Sequence, residues 1–358
     1  MAGCMLCPRG CGADRAGGLK GRCHEDARIF VARAALHFWE EPCISGENGS
    51  GTVFFSGCPL GCLYCQNQAI SRGKAGVEVD IERLAAIFLE LQAQGAHNLN
   101  LVTAGHYTPQ VVEALSLAKK NGLSLPVVWN SSGYETVSTL RMLDGYVDVY
   151  LPDLKYLDAD LAGRYSNARD YPGIARMAIA EMVRQQHSPV FDEEGMMSAG
   201  VIVRHLLLPG HVREAKRIVS YLYETYGNQI YMSLMNQYTP PESLITRPAL
   251  PDGNSGNNQP PLPVRKGRVE NGQPLMPAQR SGDENGQPPM SACGERLQGV
   301  DPLLSRKVTK REYERLLDYA AELGVEQGFY QEGDTSSESF IPEFDGTGVC
   351  EPEPSADV

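Results

Sequence analysis

Three cysteines within eight residues carry the strongest chemical signal in this 358-residue chain: Cys58, Cys62 and Cys65, spaced C-x3-C-x2-C, with Gly57 and Gly61 between and before them. Three thiolates so close can wrap one iron–sulfur cluster, and the glycines allow the tight backbone this needs. Three protein ligands leave one iron of a four-iron cluster open. An open iron can bind substrate, whereas a four-cysteine cluster is closed and suited to electron transfer. A zinc loop is the other reading, but zinc asks for a fourth ligand nearby and more often uses C-x2-C pairs.

A second set, Cys4, Cys7, Cys11 and Cys23, supplies four thiols and would make a closed site. Glycines surround it, so the segment has little core of its own, and a metal would act as its staple. Structural zinc and an auxiliary [4Fe–4S] cluster that relays electrons both fit the spacing, with His24 as a spare ligand. Cys43, Cys293 and Cys350 stand apart.

Bulk properties narrow the setting. At 42% hydrophobic residues the chain can build a sizeable core. The net charge of -12 and the lack of a Lys/Arg-rich run argue against nucleic acid as a partner. No stretch of about 18 apolar residues is present, so no membrane span is expected. Residues 1–22 hold cysteines, glycines and charges instead of the apolar stretch of a signal peptide. The expectation is a cytoplasmic protein, whose reduced thiols serve metal binding or catalysis and not disulfides.

The cysteines must be positioned by what surrounds them. Strands are expected at 52–56, 98–103, 126–130, 147–151, 201–208 and 230–235. Helical periodicity falls between them, at 80–94, 110–121, 135–143, 174–186 and 212–226. Repeated strand-then-helix units predict an α/β fold with a parallel sheet. Six units suggest a partial (β/α)6 TIM-like barrel, with a doubly wound open sheet as the alternative. The triplet then lies just after the first strand, on the face where such barrels carry their active sites.

The expected organisation is a cysteine-rich metal-binding module over 1–45 and the barrel over 46–241. A disordered insertion follows over 242–303, then a C-terminal helix completing the barrel over 304–348 and an acidic tail over 349–358. The insertion is rich in Gly, Pro, Asn and Gln and holds near-repeats at 270–274 and 284–288. Such a composition buries too little apolar surface to offset its ordering entropy. Thr309 followed by Glu312 predicts a capping box at the start of the last helix, and residues 340–344 could dock on the body.

C-x3-C-x2-C with an aromatic residue, Tyr64, before the last cysteine resembles the signature of the radical S-adenosylmethionine (SAM) superfamily. There the open iron chelates the amino and carboxylate groups of SAM. An electron from the cluster then splits SAM into methionine and a 5′-deoxyadenosyl radical that abstracts hydrogen. Residues 148–155 resemble the D-L-K element of glycyl-radical-enzyme activases, and 204–210 resemble their R-x-x-x-x-P-G element. With 95–103, 130–135 and 235–238, the chain is similar to the pyruvate formate-lyase-activating-enzyme-like branch over 1–240 and 304–348. One departure stands out: the Gly-Gly-Glu element of the activases is replaced by Thr103, Ala104, Gly105 and His106, without the acidic residue.

The resemblance implies a [4Fe–4S] cluster on Cys58, Cys62 and Cys65, SAM, and an electron donor such as flavodoxin or ferredoxin. It implies hydrogen abstraction from a substrate, in activase-like fashion a glycine of a partner protein. A small-molecule substrate and a non-catalytic Fe–S or zinc redox protein are the alternatives. It places the Tyr64 backbone against adenine and Thr103 and Gly105 at the methionine end of SAM, with His106 or backbone carbonyls facing the ammonium. Asn130, Asp153, Lys155 and Arg204, near strand ends, would reach SAM or substrate, although each could instead serve a structural salt bridge or a loop hydrogen bond. His205 falls mid-strand and is expected in the core or on the outer face.

Overall fold

The computed structural model describes residues 3–245, 301–331 and 341–350. Both near-repeats, Cys293 and most of the expected insertion and tail lie outside the described residues. At the edges of the insertion, Glu242–Ile245 and Pro302–Ser305 form short helical turns.

Among the described residues the cysteine-rich start has no strand or helix until β1 (Ile29–His37), which is followed by the single-turn α1 (Pro42–Ser45). Then come β2 (Ser50–Phe55), α2 (Gln68–Ser71), β3 (Val77–Val79), α3 (Ile81–Ala93), β4 (Leu99–Val102), α4 (Thr108–Lys120), β5 (Val127–Ser131) and α5 (Val137–Arg141). The second half runs β6 (Val149–Pro152), α6 (Ala159–Ser166), α7 (Tyr171–Gln186), β7 (Val190–Phe191), β8 (Met197–Leu206), α8 (Val212–Tyr226), β9 (Tyr231–Met235), α9 (Glu242–Ile245), α10 (Lys310–Leu323) and β10 (Gly328–Tyr330).

All six expected strands are present, as β2, β4, β5, β6, β8 and β9, and they pair in parallel in that order. The fold is α/β with a mostly parallel sheet, consistent with a partial TIM-like barrel. Three features go beyond the expectation. β10 adds a seventh parallel strand beside β9. At the other edge β1 pairs antiparallel with both β2 and β3. A short hairpin joins β7 to the start of β8. β1 was hidden because it sits within the segment whose glycines and cysteines suggested loop throughout.

The two faces of the strands pack on different partners, as period-two alternation requires. Val127, Trp129 and Tyr150 join the large core beneath the helices. Val128, Val149, Leu151 and Ile202 face inward and pack on Cys43 and Ile44 of α1. Burying one such branched side chain contributes roughly 1.5–3 kcal/mol, so α1 acts as an apolar plug for the barrel interior. Outside, α3 buries Leu84, Phe88 and Leu91 and is capped by Asp80, which accepts from the Arg83 N–H at 2.7 Å. The capping box at Thr309 and Glu312 forms as expected.

Residues 341–350 lie along β1. Gly346 donates to the Ala32 carbonyl at 3.0 Å and Ala34 to the Thr347 carbonyl at 2.9 Å. Phe344 meets Phe54 edge-on at 5.4 Å. No helix among the described residues is long and apolar enough to cross a membrane.

Two buried histidines make the fold acid-sensitive. Burial pushes His106 from 6.5 to about 3 and His205 from 6.5 to about 4. Both rings are neutral in the fold and pick up protons only when it opens. The unfolded chain therefore binds more protons between those values, and stability falls as pH drops from 6.5 toward 4. We expect the urea midpoint of His106→Gln to decline less steeply over that range than wild type. Identical slopes would show that His106 does not carry the effect.

Candidate active site

The cluster loop begins where β2 ends. Gly57 has φ +84°, and a Cβ there would stand 2.6 Å from the Cys23 carbonyl oxygen. Only glycine fits this position without strain. The close approach lets the Cys58 N–H donate to that carbonyl at 3.2 Å. Arg9 fastens the next turn: its Nε donates to the Pro59 carbonyl at 2.9 Å and its Nη2 to those of Leu60 at 3.1 Å and Ser166 at 3.0 Å. Arg15 ties the same N-terminal segment to the His106 carbonyl at 2.6 Å. The cysteine-rich start is thus a brace behind the loop. Nothing in its composition singled out these arginines, because their partners lie tens of residues away.

A cavity of about 270 Å³ opens at the C-terminal ends of the parallel strands. Cys58, Cys62, Tyr64 and Cys65 line it from the loop, and Thr103, Asn130, Asp153, Lys155 and Arg204 line it from the strand ends. These expected residues are brought together. Gly105 is not among them. It opens a turn on the far side, where a Cβ would meet Glu135 Oε1 at 2.9 Å. That carboxylate accepts from Trp129 Nε1 at 2.8 Å and Ser131 Oγ at 2.6 Å. His106 is absent from the cavity too. Its Nε2 lies 2.8 Å from the Ser56 carbonyl, so it supports the strand end beneath the loop.

The charged groups are paired. Lys155 Nζ lies 2.5 Å from Asp153 Oδ2. Burial alone would lower the ammonium's pKa, but Asp153 and Cys62 outweigh it and hold it above the usual lysine value. Arg204 is engaged by two carboxylates that the sequence did not point to. Its Nε donates to Glu41 Oε1 at 2.8 Å, its Nη2 to Glu41 Oε2 at 2.6 Å, and its Nη2 also to Glu40. Burial would raise the Glu41 carboxyl, and Arg204 outweighs it and holds it below its ordinary value. Glu40 lines the cavity and also accepts from Asn100 at 3.1 Å and Asn130 at 3.3 Å. Arg204 therefore serves an ion-pair network, the structural alternative open to it from the start. Thr103 has φ +61°, an outlier for a β-branched residue. Such strain tends to collect at functional sites.

Burial raises the thiols of Cys58, Cys62 and Cys65 above their usual value, so they ionise readily only with a metal centre beside them. Among the described residues no three His, Cys, Asp or Glu side chains converge on one point. A cluster places its thiolates on separate irons. Three thiols around one cavity match the donor number that leaves one iron of a four-iron cluster open. In the N-terminal set, Cys11 and Cys23 sulfurs lie 3.3 and 3.4 Å from the place where a Gly21 Cβ would be. Burial pushes Cys7 up to about 11, and Cys23, Cys4 and Cys11 add to the rise. The four are neighbours without meeting at one point.

Residues 52–222 match the family described as Radical SAM superfamily. Over those residues the chain is similar to a Radical SAM superfamily domain. The match starts in β2 and ends in α8, so it includes the triplet and every strand end of the cavity up to Arg204. Enzymes of that superfamily work with a [4Fe–4S] cluster and with SAM as cosubstrate. The chain is also 28% identical over 219 residues to an uncharacterized protein of Methanocaldococcus jannaschii. That alignment spans 59% of this chain and 59% of the relative. Neither match distinguishes a branch within the superfamily or names a substrate.

Removing the Arg204 guanidinium would leave Glu40 and Glu41, both nearly buried, without a counter-charge. Breaking such a pair costs roughly 3–5 kcal/mol. Arg204→Met should lower stability by that order in denaturant titration, and adding Glu40→Gln and Glu41→Gln should recover part of it. A silent Arg204→Met would remove the network from any structural role.

Proposed function

We propose that Cys58, Cys62 and Cys65 hold an open [4Fe–4S] cluster and that SAM binds beside it in the cavity. The radical formed abstracts hydrogen from a glycine of a partner protein. The observation that carries this reading is that three thiols, and no fourth among the described residues, share one cavity with the polar strand ends of the matched segment. When bound, the cluster supplies the electron that splits SAM to methionine and a 5′-deoxyadenosyl radical.

The chain's own residues do the binding and orienting. The Tyr64 backbone offers hydrogen bonds to adenine. Thr103 and Asn130 present polar groups toward the methionine end. Glu40, hydrogen-bonded to Asn130, is the carboxylate available to the SAM ammonium in place of the acidic residue missing at 103–106. The Lys155 ammonium, held by Asp153, offsets the negative charge gathered at the thiolates. Arg204 keeps Glu40 in place, and Gly105 acts through Glu135.

The protein-substrate reading rests on space. The cavity of about 270 Å³ is near the lower end of small-ligand pockets, which run ~300–1,000 Å³. SAM would take much of it, leaving the attacked atom at the mouth, where Trp39 is 58% exposed. A narrow backbone segment suits that opening. The electron comes from a flavodoxin- or ferredoxin-type donor in the cytoplasm. Cys4, Cys7, Cys11 and Cys23 provide a second metal site, zinc or Fe–S, that stiffens the brace of residues 1–45 against the barrel of 46–241.

Anaerobic reconstitution with iron and sulfide, followed by dithionite and SAM, should release 5′-deoxyadenosine, and Cys58→Ala should abolish it. A bound cluster without release, and no EPR change on adding SAM, would sink the proposal in favour of a redox protein. Turnover of a small molecule without a glycyl-radical EPR signal on any protein would overturn the substrate class. A separate check uses Gly57→Ala, which should lose most of the bound iron because its Cβ would stand 2.6 Å from the Cys23 carbonyl. Full iron content would refute that reading of the glycine.

A further inference from the structure

Behind the cluster loop a chain of hydroxyls ends on one of the three thiols. Ser166, the last residue of α6, is 1% exposed, and its Oγ donates to Cys62 Sγ at 3.0 Å. The Tyr156 hydroxyl lies 2.9 Å from Ser166 Oγ and 2.6 Å from the Tyr64 hydroxyl. Tyr64 sits in the loop itself, between Cys62 and Cys65. The Leu63 N–H donates to the Tyr165 carbonyl at 2.8 Å, so α6 and the loop are fastened together where the chain of hydroxyls crosses.

Three hydroxyls buried side by side are costly unless each is satisfied. As placed, Ser166 donates to Cys62 and Tyr156 to Tyr64, which leaves the contact between Ser166 and Tyr156 without a proton. A thiolate can only accept. Ser166 must then donate to Cys62, Tyr156 to Ser166, and Tyr64 to Tyr156. Three protons serve three contacts, and this is the one order that fills them all. Hydroxyl protons rotate freely enough to adopt it. An ionised Cys62 thus sets the direction of the whole chain, and each link strengthens the next.

We infer that Ser166, backed by Tyr156 and Tyr64, sets the reduction potential of the cluster held by Cys62. This rests on the reading of Cys58, Cys62 and Cys65 as its ligands. A hydrogen bond to a ligand sulfur draws off negative charge. The reduced cluster carries one more electron than the oxidised one, so the bond favours it and raises the potential. Ser166 is a positioning and tuning residue: it touches a ligand, not the substrate. Tyr64 links this tuning to the cavity wall, because it is among the residues that line the space where SAM is proposed to bind.

The test is an EPR-monitored redox titration of the reconstituted full-length protein, with dithionite as reductant and iron content measured alongside. Ser166→Ala should move the midpoint to more negative potential. A tenfold fall in the reduced-to-oxidised ratio at fixed potential is about 59 mV for one electron. Tyr156→Phe, which keeps the ring, should move it the same way by less, and Ser166→Thr, which keeps the hydroxyl, should stay near wild type. An unchanged midpoint in Ser166→Ala at full iron content overturns the inference. If Ser166→Ala loses its cluster, Tyr156→Phe decides: a negative shift supports the inference and no shift overturns it. Wild-type protein that takes up no four-iron cluster would overturn the ligand reading itself, a different failure that the iron content identifies.

Discussion

The contact between the N-terminal segment and the cluster loop holds the candidate site in shape. The loop after β2 has no strand or helix to fix it, yet it must present three buried thiols to one cavity. Its amide at Cys58 is taken by the Cys23 carbonyl, and its carbonyls at Pro59 and Leu60 are taken by Arg9. Gly57 makes room for the approach. Unpaired backbone groups at such depth cost free energy comparable to a lost hydrogen bond, so the brace is what allows an irregular loop to be buried. It also explains why a glycine- and cysteine-rich segment with no core of its own is nonetheless packed: its order comes from the barrel that it supports.

A second constraint is charge. The barrel interior beside the cavity holds Glu40, Glu41, Asp153, Lys155 and Arg204, and every one of them has an opposite partner. Isolated buried charges are costly, and paired ones recover much of that cost only when hydrogen bonds are complete. The Glu40 and Glu41 pair reaches Arg204 from the segment between β1 and α1, and Ile44 of α1, just after it, fills the inner face of the sheet. One excursion of chain therefore supplies both the apolar plug and the carboxylates. Glu40, Asp153, Lys155 and Arg204 all stand at the cavity wall, so its charge is balanced before any ligand enters.

The strand-and-helix order was legible because it is written in local periodicity. Branched residues in short runs become strands, and apolar positions at a 3.6-residue spacing become helices, each with caps a few residues away. The six parallel strands, the capping box at Thr309 and the three-thiol loop were all readable on that basis. β1 and β10 were not. β1 carries its apolar residues beside a loop-forming composition, and β10 has only three residues, too few for any period to show.

Within the site, residue types and spacing determined the thiol triplet, its place after the first parallel strand, and the polar strand ends from Thr103 to Arg204 that meet around it. Tertiary structure alone decided which of those groups are free to work. Arg204 faces Glu40 and Glu41 from more than 160 positions away. Gly105 makes room for Glu135 instead of a ligand, His106 turns to Ser56, and Ser166 reaches Cys62 across 104 residues. The physical reason is the same in each case. Spacing along the chain encodes what neighbours can do together, while the partner of a buried charge or hydroxyl is set by which distant element the fold brings within about 3 Å, the reach of a hydrogen bond.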